Sequence, residues 1–137
     1  MQYRPDAKDL LLAVQDFLMK EVLPKLEDEE LLSYKTLVSW NMLGVIAREI
    51  DKEDEFLNEE FKSLTKVKLI NDTIKLSELE FKALTRREKT SMFLLWNKTF
   101  SRCLRETKES DTKSETWSHI KLHLKNNLNI ASPRFQT

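Results

Sequence analysis

The stretch Tyr34–Glu49, YKTLVSWNMLGVIARE, decides the fold. Leu31, Tyr34, Val38, Met42 and Val45 recur at helical spacing, and Leu32, Trp40, Leu43, Ala47 and Ile50 occupy much of the opposite side. This periodicity predicts a helix from about Glu29 to Asp51. A helix that is apolar nearly all round is expected to be buried among others, so it becomes the central element. Inside it sits Gly44, the only glycine of the chain. A mid-helix glycine costs about 0.5–1 kcal/mol relative to alanine, so a compensating gain is expected. Close approach of another helix is the first explanation. The second is a notch flanked by Asn41 and Arg48, on adjoining positions of the same face, able to receive an anionic or acyl ligand.

Outward from this helix, the patterns remain helical. Pro5 and Asp6 suit a first helical turn, and Leu10, Val14, Phe17 and Leu18 form a stripe that ends at or kinks near Pro24. A third helix is read over Glu53–Leu64, with Phe56, Leu57, Phe61 and Leu64 on one face. The segment from Lys66 to Leu76 fits a helix end and loop or a short hairpin. Ser77-Glu-Leu-Glu80 has the form of a capping box, so a helix restarts there. A long helix follows from about Arg86 to Glu106, with Phe93, Trp96, Phe100, Cys103 and Leu104 on one side. The last helix spans about Ser114 to Leu128, with Trp117, Ile120, Leu124 and Leu128 as its stripe. With one glycine, three prolines and no repeats, the expected architecture is all-α. It is an antiparallel bundle of four to five helices, with residues 1–137 as a single helical domain.

Composition removes several chemistries. Phosphate-cradling Walker and Rossmann loops need several glycines, and a nucleophile elbow needs glycine on both sides of its serine. A single cysteine excludes an internal disulfide, and no thiolate metal cluster can form. Cys103, on an apolar side with no histidine close in sequence, reads as an inert thiol. No apolar run has the length of a membrane span and the N-terminus lacks a signal-peptide pattern, so a soluble, cytoplasmic protein is expected.

Net charge is zero, yet residues 1–60 carry 7 Lys/Arg against 15 Asp/Glu and the remainder carries 16 against 8. Mutual cancellation is the simplest reading, and a dipolar surface that steers a partner is the alternative. The basic residues are interspersed with acids, which argues against a nucleic-acid surface.

Glu21 falls in line with Val14 and Leu18, and Glu49 projects into the row of Val38, Met42 and Val45. A carboxylate buried without a partner is costly, so one of them is expected to pair with Arg4 or Arg48. Glu115, His119 and His123 lie at four-residue spacing and form the one weak candidate for a metal site, on the side of the last helix read as facing solvent. They lack the order of a zinc-protease motif. The Glu-x-x-His pairs of di-iron bundles are missing. No cofactor and no catalytic residue is expected.

Three segments carry a resemblance: RPDAKDLLLAVQDFLMKEVLPKL at the start, YKTLVSWNMLGVIAREI in the second helix and LKNNLNIASPRF at the end. Together they resemble a family of small bacterial helical proteins, a domain of unknown function. Its members tend to be encoded beside acyl-CoA dehydrogenase-like proteins and aminoglycoside-phosphotransferase-like kinases. The matching positions are Arg4, Pro5, Glu21, Pro24, Asn41, Arg48, Glu49, Pro133 and Arg134. The resemblance implies an accessory or adaptor protein that binds a partner of one of those two kinds. With a small helical module for an acyl or anionic ligand as the alternative, the first reading predicts an unusually large exposed apolar or charge-biased patch.

Overall fold

The computed structural model describes residues 4–108 and 110–135. The chain is all-α, with helices α1 (Ala7–Phe17), α2 (Glu30–Leu64), α3 (Glu78–Ala83), α4 (Arg86–Thr107) and α5 (Glu115–Ala131), and no strand among the described residues. The segment from Lys66 to Leu76 holds turns and a short 3₁₀ stretch at Asn71–Thr73 rather than a hairpin. Backbone contacts divide the chain into two compact units, one of residues 1–53 with 130–132, the other of residues 54–129 with 133–137.

Local signals set the helix ends. Asp6 and Asp9, Ser77 and Glu80, and Thr85 and Glu88 form reciprocal capping boxes at the starts of α1, α3 and α4. Each satisfies two amides that the first helical turn leaves open. α4 stops at Lys108, in the left-handed region at φ 49°, where its N–H closes on the Leu104 carbonyl.

The residues after α1 show what Pro24 does to a helix. Proline lacks the N–H that an α-turn would aim at the Lys20 carbonyl, and its ring crowds that carbonyl. The backbone widens to a π-helical turn at Leu18–Val22, where the Leu23 N–H reaches the Leu18 carbonyl. It then tightens into a 3₁₀ turn at Leu23–Leu26.

The expected break near Lys52 is not there: α2 runs on for 35 residues. The polar run Asp51–Glu55 contains neither glycine nor proline, and its residues are adequate helix formers. Polarity here marks a change of exposed face, not an end.

In the second unit the core consists of Phe61, Leu64, Val67, Ile70, Phe81, Phe93, Trp96 and Phe100. Phe61 and Phe81 stack at 4.1 Å between centroids, and Phe93 stands edge-on to both Phe81 and Trp96. These offset and edge-to-face contacts suit the ring quadrupoles. Val67 and Ile70, in the irregular connection, close this core from one end. Lys89 is buried there as well; its stem lies in the core and its Nζ meets Asp54 Oδ1 at 2.7 Å, 5.6 Å from the Phe81 centroid.

The first unit is built differently. The first half of α2, expected at the centre, is largely exposed: Leu31 is 66 %, Tyr34 65 % and Met42 57 % accessible. Leu10, Val14 and Phe17 of α1 are exposed too. Among the described residues of α2 from Glu30 to Glu53, Gly44 and Ala47 alone are buried.

Candidate functional site

In the first unit, α1 and the first half of α2 pair antiparallel, as two contacts fix. Lys8 Nζ meets Asp51 Oδ1 at 2.7 Å, and Gln15 Nε2 donates to the Trp40 carbonyl at 2.7 Å. Gly44 lies beneath the second contact. A Cβ built there would stand 2.7 Å from Gln15 Nε2 and 3.2 Å from Arg48 Nη1. The glycine thus makes room for a polar side chain of the neighbouring helix, and the space of the expected notch is taken by Gln15.

Arg48 turns to the C-terminal end of α5, where its Nε donates to the Ile130 carbonyl at 2.6 Å. A guanidinium at the last, unsatisfied carbonyls of a helix is favoured by both hydrogen bonding and the helix dipole. The ion pair expected for Glu21 or Glu49 with Arg4 or Arg48 does not form among the described residues. Glu21 and Arg4 are exposed, Glu49 is half-buried, and Arg48 is engaged by a carbonyl. Glu21 lies within the π-helical turn Leu18–Val22. Asn41 is exposed on α2. Of the six residues singled out on the first two helices, only Gly44 and Arg48 come together.

The most prominent feature of this unit is apolar surface. Of the sixteen large hydrophobic residues found exposed, twelve lie between Leu10 and Ile50. The row Leu31, Tyr34, Val38 and Met42 points away from the side that carries Gly44, Ala47 and Trp40.

The second unit holds the densest polar cluster. Glu60, only 6 % accessible, accepts from Asn126 Nδ2 at 3.2 Å and lies 2.7 Å from His123 Nδ1. On the far side of that ring Asn127 Nδ2 stands 3.0 Å from Nε2. His119 is buried, contrary to its expected place at the solvent. Its ring is edge-on to Phe100 with centroids 5.6 Å apart, and its Nδ1 has no hydrogen-bond partner.

The two histidines titrate in opposite directions. Burial, with His123 as a lesser cause, lowers the His119 pKa to about 4 against the pull of Glu60. The hydrogen bond to Glu60, reinforced by its charge, raises that of His123 against a partial desolvation. His119 is therefore a neutral core residue near pH 7, and His123 is one half of a carboxylate–imidazole pair.

Glu115 is exposed and takes no part in this cluster. With His119 turned onto Phe100 and His123 onto Glu60, Glu115, His119 and His123 do not converge. No group of three metal-ligating side chains is placed to hold an ion among the described residues.

The sequence reading missed Glu60, Asn126 and Gln15. It also turned α5 by about one residue, since Thr116, His119 and Asn126 are buried while Leu124 is 57 % exposed. A signal was present: Thr116, His119, His123 and Asn126 follow a three-four-three spacing, and Glu60 sits in one row between Phe56 and Leu64. A polar seam on one helix and a carboxylate in an apolar row of another are complementary.

No family model, no curated protein and no solved structure matches the chain. No helix is long and apolar enough to cross a membrane among the described residues.

Proposed function

We propose that this chain is a non-enzymatic accessory protein that acts by binding another protein through the apolar surface of α1 and the first half of α2. One observation carries the reading: twelve large hydrophobic side chains stay exposed on a two-helix hairpin that buries almost nothing of its own. Apolar surface gathered this way marks an interaction site, whereas singly scattered hydrophobics would not. Glu60 and His123 hold each other in place and belong to a network that supports α5, which suits a structural part for that pair. The resemblance adds the partner classes: a phosphotransferase-like kinase or an acyl-CoA dehydrogenase-like protein.

Tagged full-length protein, purified from its native lysate at moderate salt, is compared with a Tyr34→Lys/Val38→Lys variant of equal helicity. Recovery of a phosphotransferase-like or dehydrogenase-like protein by the parent and its loss from the variant is the expected result. Identical recovery by both, or recovery of no partner, overturns the reading.

A further inference from the structure

We infer that the first protein to cover this hairpin is a second copy of the chain, docked antiparallel along α2 about a two-fold axis near residue 41. The inference rests on the binding role proposed above and names its occupant.

The row Leu32, Thr36, Ser39, Leu43, Ile46 and Ile50 advances by alternating steps of four and three, the spacing of a helix–helix seam, and carries no charge. It is open: Leu32 is 49 %, Ile46 41 % and Ile50 43 % accessible. Its two hydroxyls place no demand on a partner, because Thr36 Oγ1 donates to the Leu32 carbonyl at 2.8 Å and Ser39 Oγ to the Lys35 carbonyl at 2.9 Å. Both can be buried without leaving an unsatisfied donor.

The row is also symmetric about its midpoint. Turned end for end on itself, Leu32 meets Ile50 of the second copy, Thr36 meets Ile46 and Ser39 meets Leu43. Every isologous contact occurs twice, and the two inner layers each set a small side chain against a large one. The same register sets Lys35 opposite Glu49 of the second copy, twice. These two residues are fourteen positions apart on one helix, about 21 Å, and so are out of reach of each other within a chain. Neither forms an ion pair within the chain among the described residues. Glu49, which the sequence placed in an apolar row without a partner, thereby receives one.

Of the twelve exposed hydrophobics of the hairpin, Leu32, Ile46 and Ile50 belong to this seam, whereas Leu31, Tyr34 and Val38 face another side of α2 and stay open to the partner protein. Two hairpins together supply four helices, enough to enclose a bundle core.

Sedimentation velocity of the full chain across micromolar concentrations, with circular dichroism of each variant, tests this. The expected species is a dimer. Ile46→Lys, at an exposed position, is expected to weaken it about 100-fold with helicity retained, because each copy then buries an unpaired ammonium. Lys35→Glu and Glu49→Lys are each expected to weaken the dimer about 5-fold, and the double exchange to restore it. A monomeric parent chain at 100 micromolar, or about that, overturns the inference. So does a dimer indifferent to Ile46→Lys, or a double exchange weaker than either single one. A monomer that still captures its partner protein through Tyr34 and Val38 removes the second copy alone. A dimer that captures none removes the accessory role alone.

Discussion

The two halves of α2 share one uninterrupted helix and yet meet opposite fates. From Phe56 onward its apolar residues join α3, α4 and the Val67–Ile70 connection in an aromatic core, where Phe61 and Leu64 retain 1 % and 0 % of their accessibility. Before Asp51 a similar density of apolar residues stays largely exposed, because α1 alone of the helices lies within the same compact unit and cannot cover them all. The difference is one of layers and not of composition. Hydrophobic side chains are buried when enough secondary structure surrounds them, and periodicity along one helix does not report how many neighbours it has.

The comparison breaks most readily at the aromatic core. Phe81→Ala is expected to cost about 3–5 kcal/mol, whereas Met42→Ala in the exposed row should change the stability of an isolated chain by about 0.5 kcal/mol or less. Urea denaturation followed by tryptophan fluorescence measures both. Equal effects would mean that the first unit is as well packed as the second. If the second-copy interface forms, the Met42→Ala effect grows with protein concentration, because Met42 then borders that interface.

A smaller loss, about 1–3 kcal/mol, is expected for Asp54→Ala, because the buried ammonium of Lys89 loses its 2.7 Å partner. Lys89→Met removes that charge and keeps the volume, so it should cost less than Asp54→Ala in the same denaturation series. The opposite order would show that the ion pair itself holds α4 in place.

The response to pH falls in two windows, because the two histidines shift in opposite directions. His119 has a folded pKa near 4, below its ordinary 6.5. It therefore adds stability above pH 6.5 that is lost as pH falls toward 4. His123 is shifted upward, so its contribution is full below pH 6.5 and is lost as pH rises through its folded value. Thermal unfolding of His119→Phe between pH 4 and 6.5 should show less acid destabilisation than the parent. His123→Ala should instead lose less stability than the parent as pH rises above 6.5. Parallel curves for all three would remove both assignments.

The smallest effect lies at Gly44. Gly44→Ala gains about 0.5–1 kcal/mol of helix propensity but displaces Gln15 from the Trp40 carbonyl, which costs a similar amount. A near-neutral result is expected from the single change. In a Gln15→Ala background the same substitution should stabilise, by about 0.5–1 kcal/mol. Destabilisation in both backgrounds would place another group over the glycine.

Much of the architecture was legible in the residues. The capping box at Ser77 and the effect of Pro24 are local, set by side chains within four positions of the backbone they control. The site was legible only in part. His119 and His123 drew notice as titratable residues at helical spacing, but their partners Phe100 and Glu60 lie 19 and 63 positions away in sequence. The same limit holds for Gly44. Its spacing to Arg48 was visible in the helix, but the residue that needs the space, Gln15, is supplied by a different helix. Exposure of the Leu31–Met42 row was the least legible, because an apolar row has one appearance whether a neighbour from its own chain or from another covers it.

Two contacts described above meet within a single turn of α2. Lys8, near the start of the chain, reaches Asp51, and the Ile130 carbonyl, near its end, receives Arg48. One turn of α2 therefore holds both the start of α1 and the end of α5. Loosening that turn with Arg48→Met and Asp51→Asn should therefore raise amide hydrogen exchange at the start of α1 and at the end of α5 together.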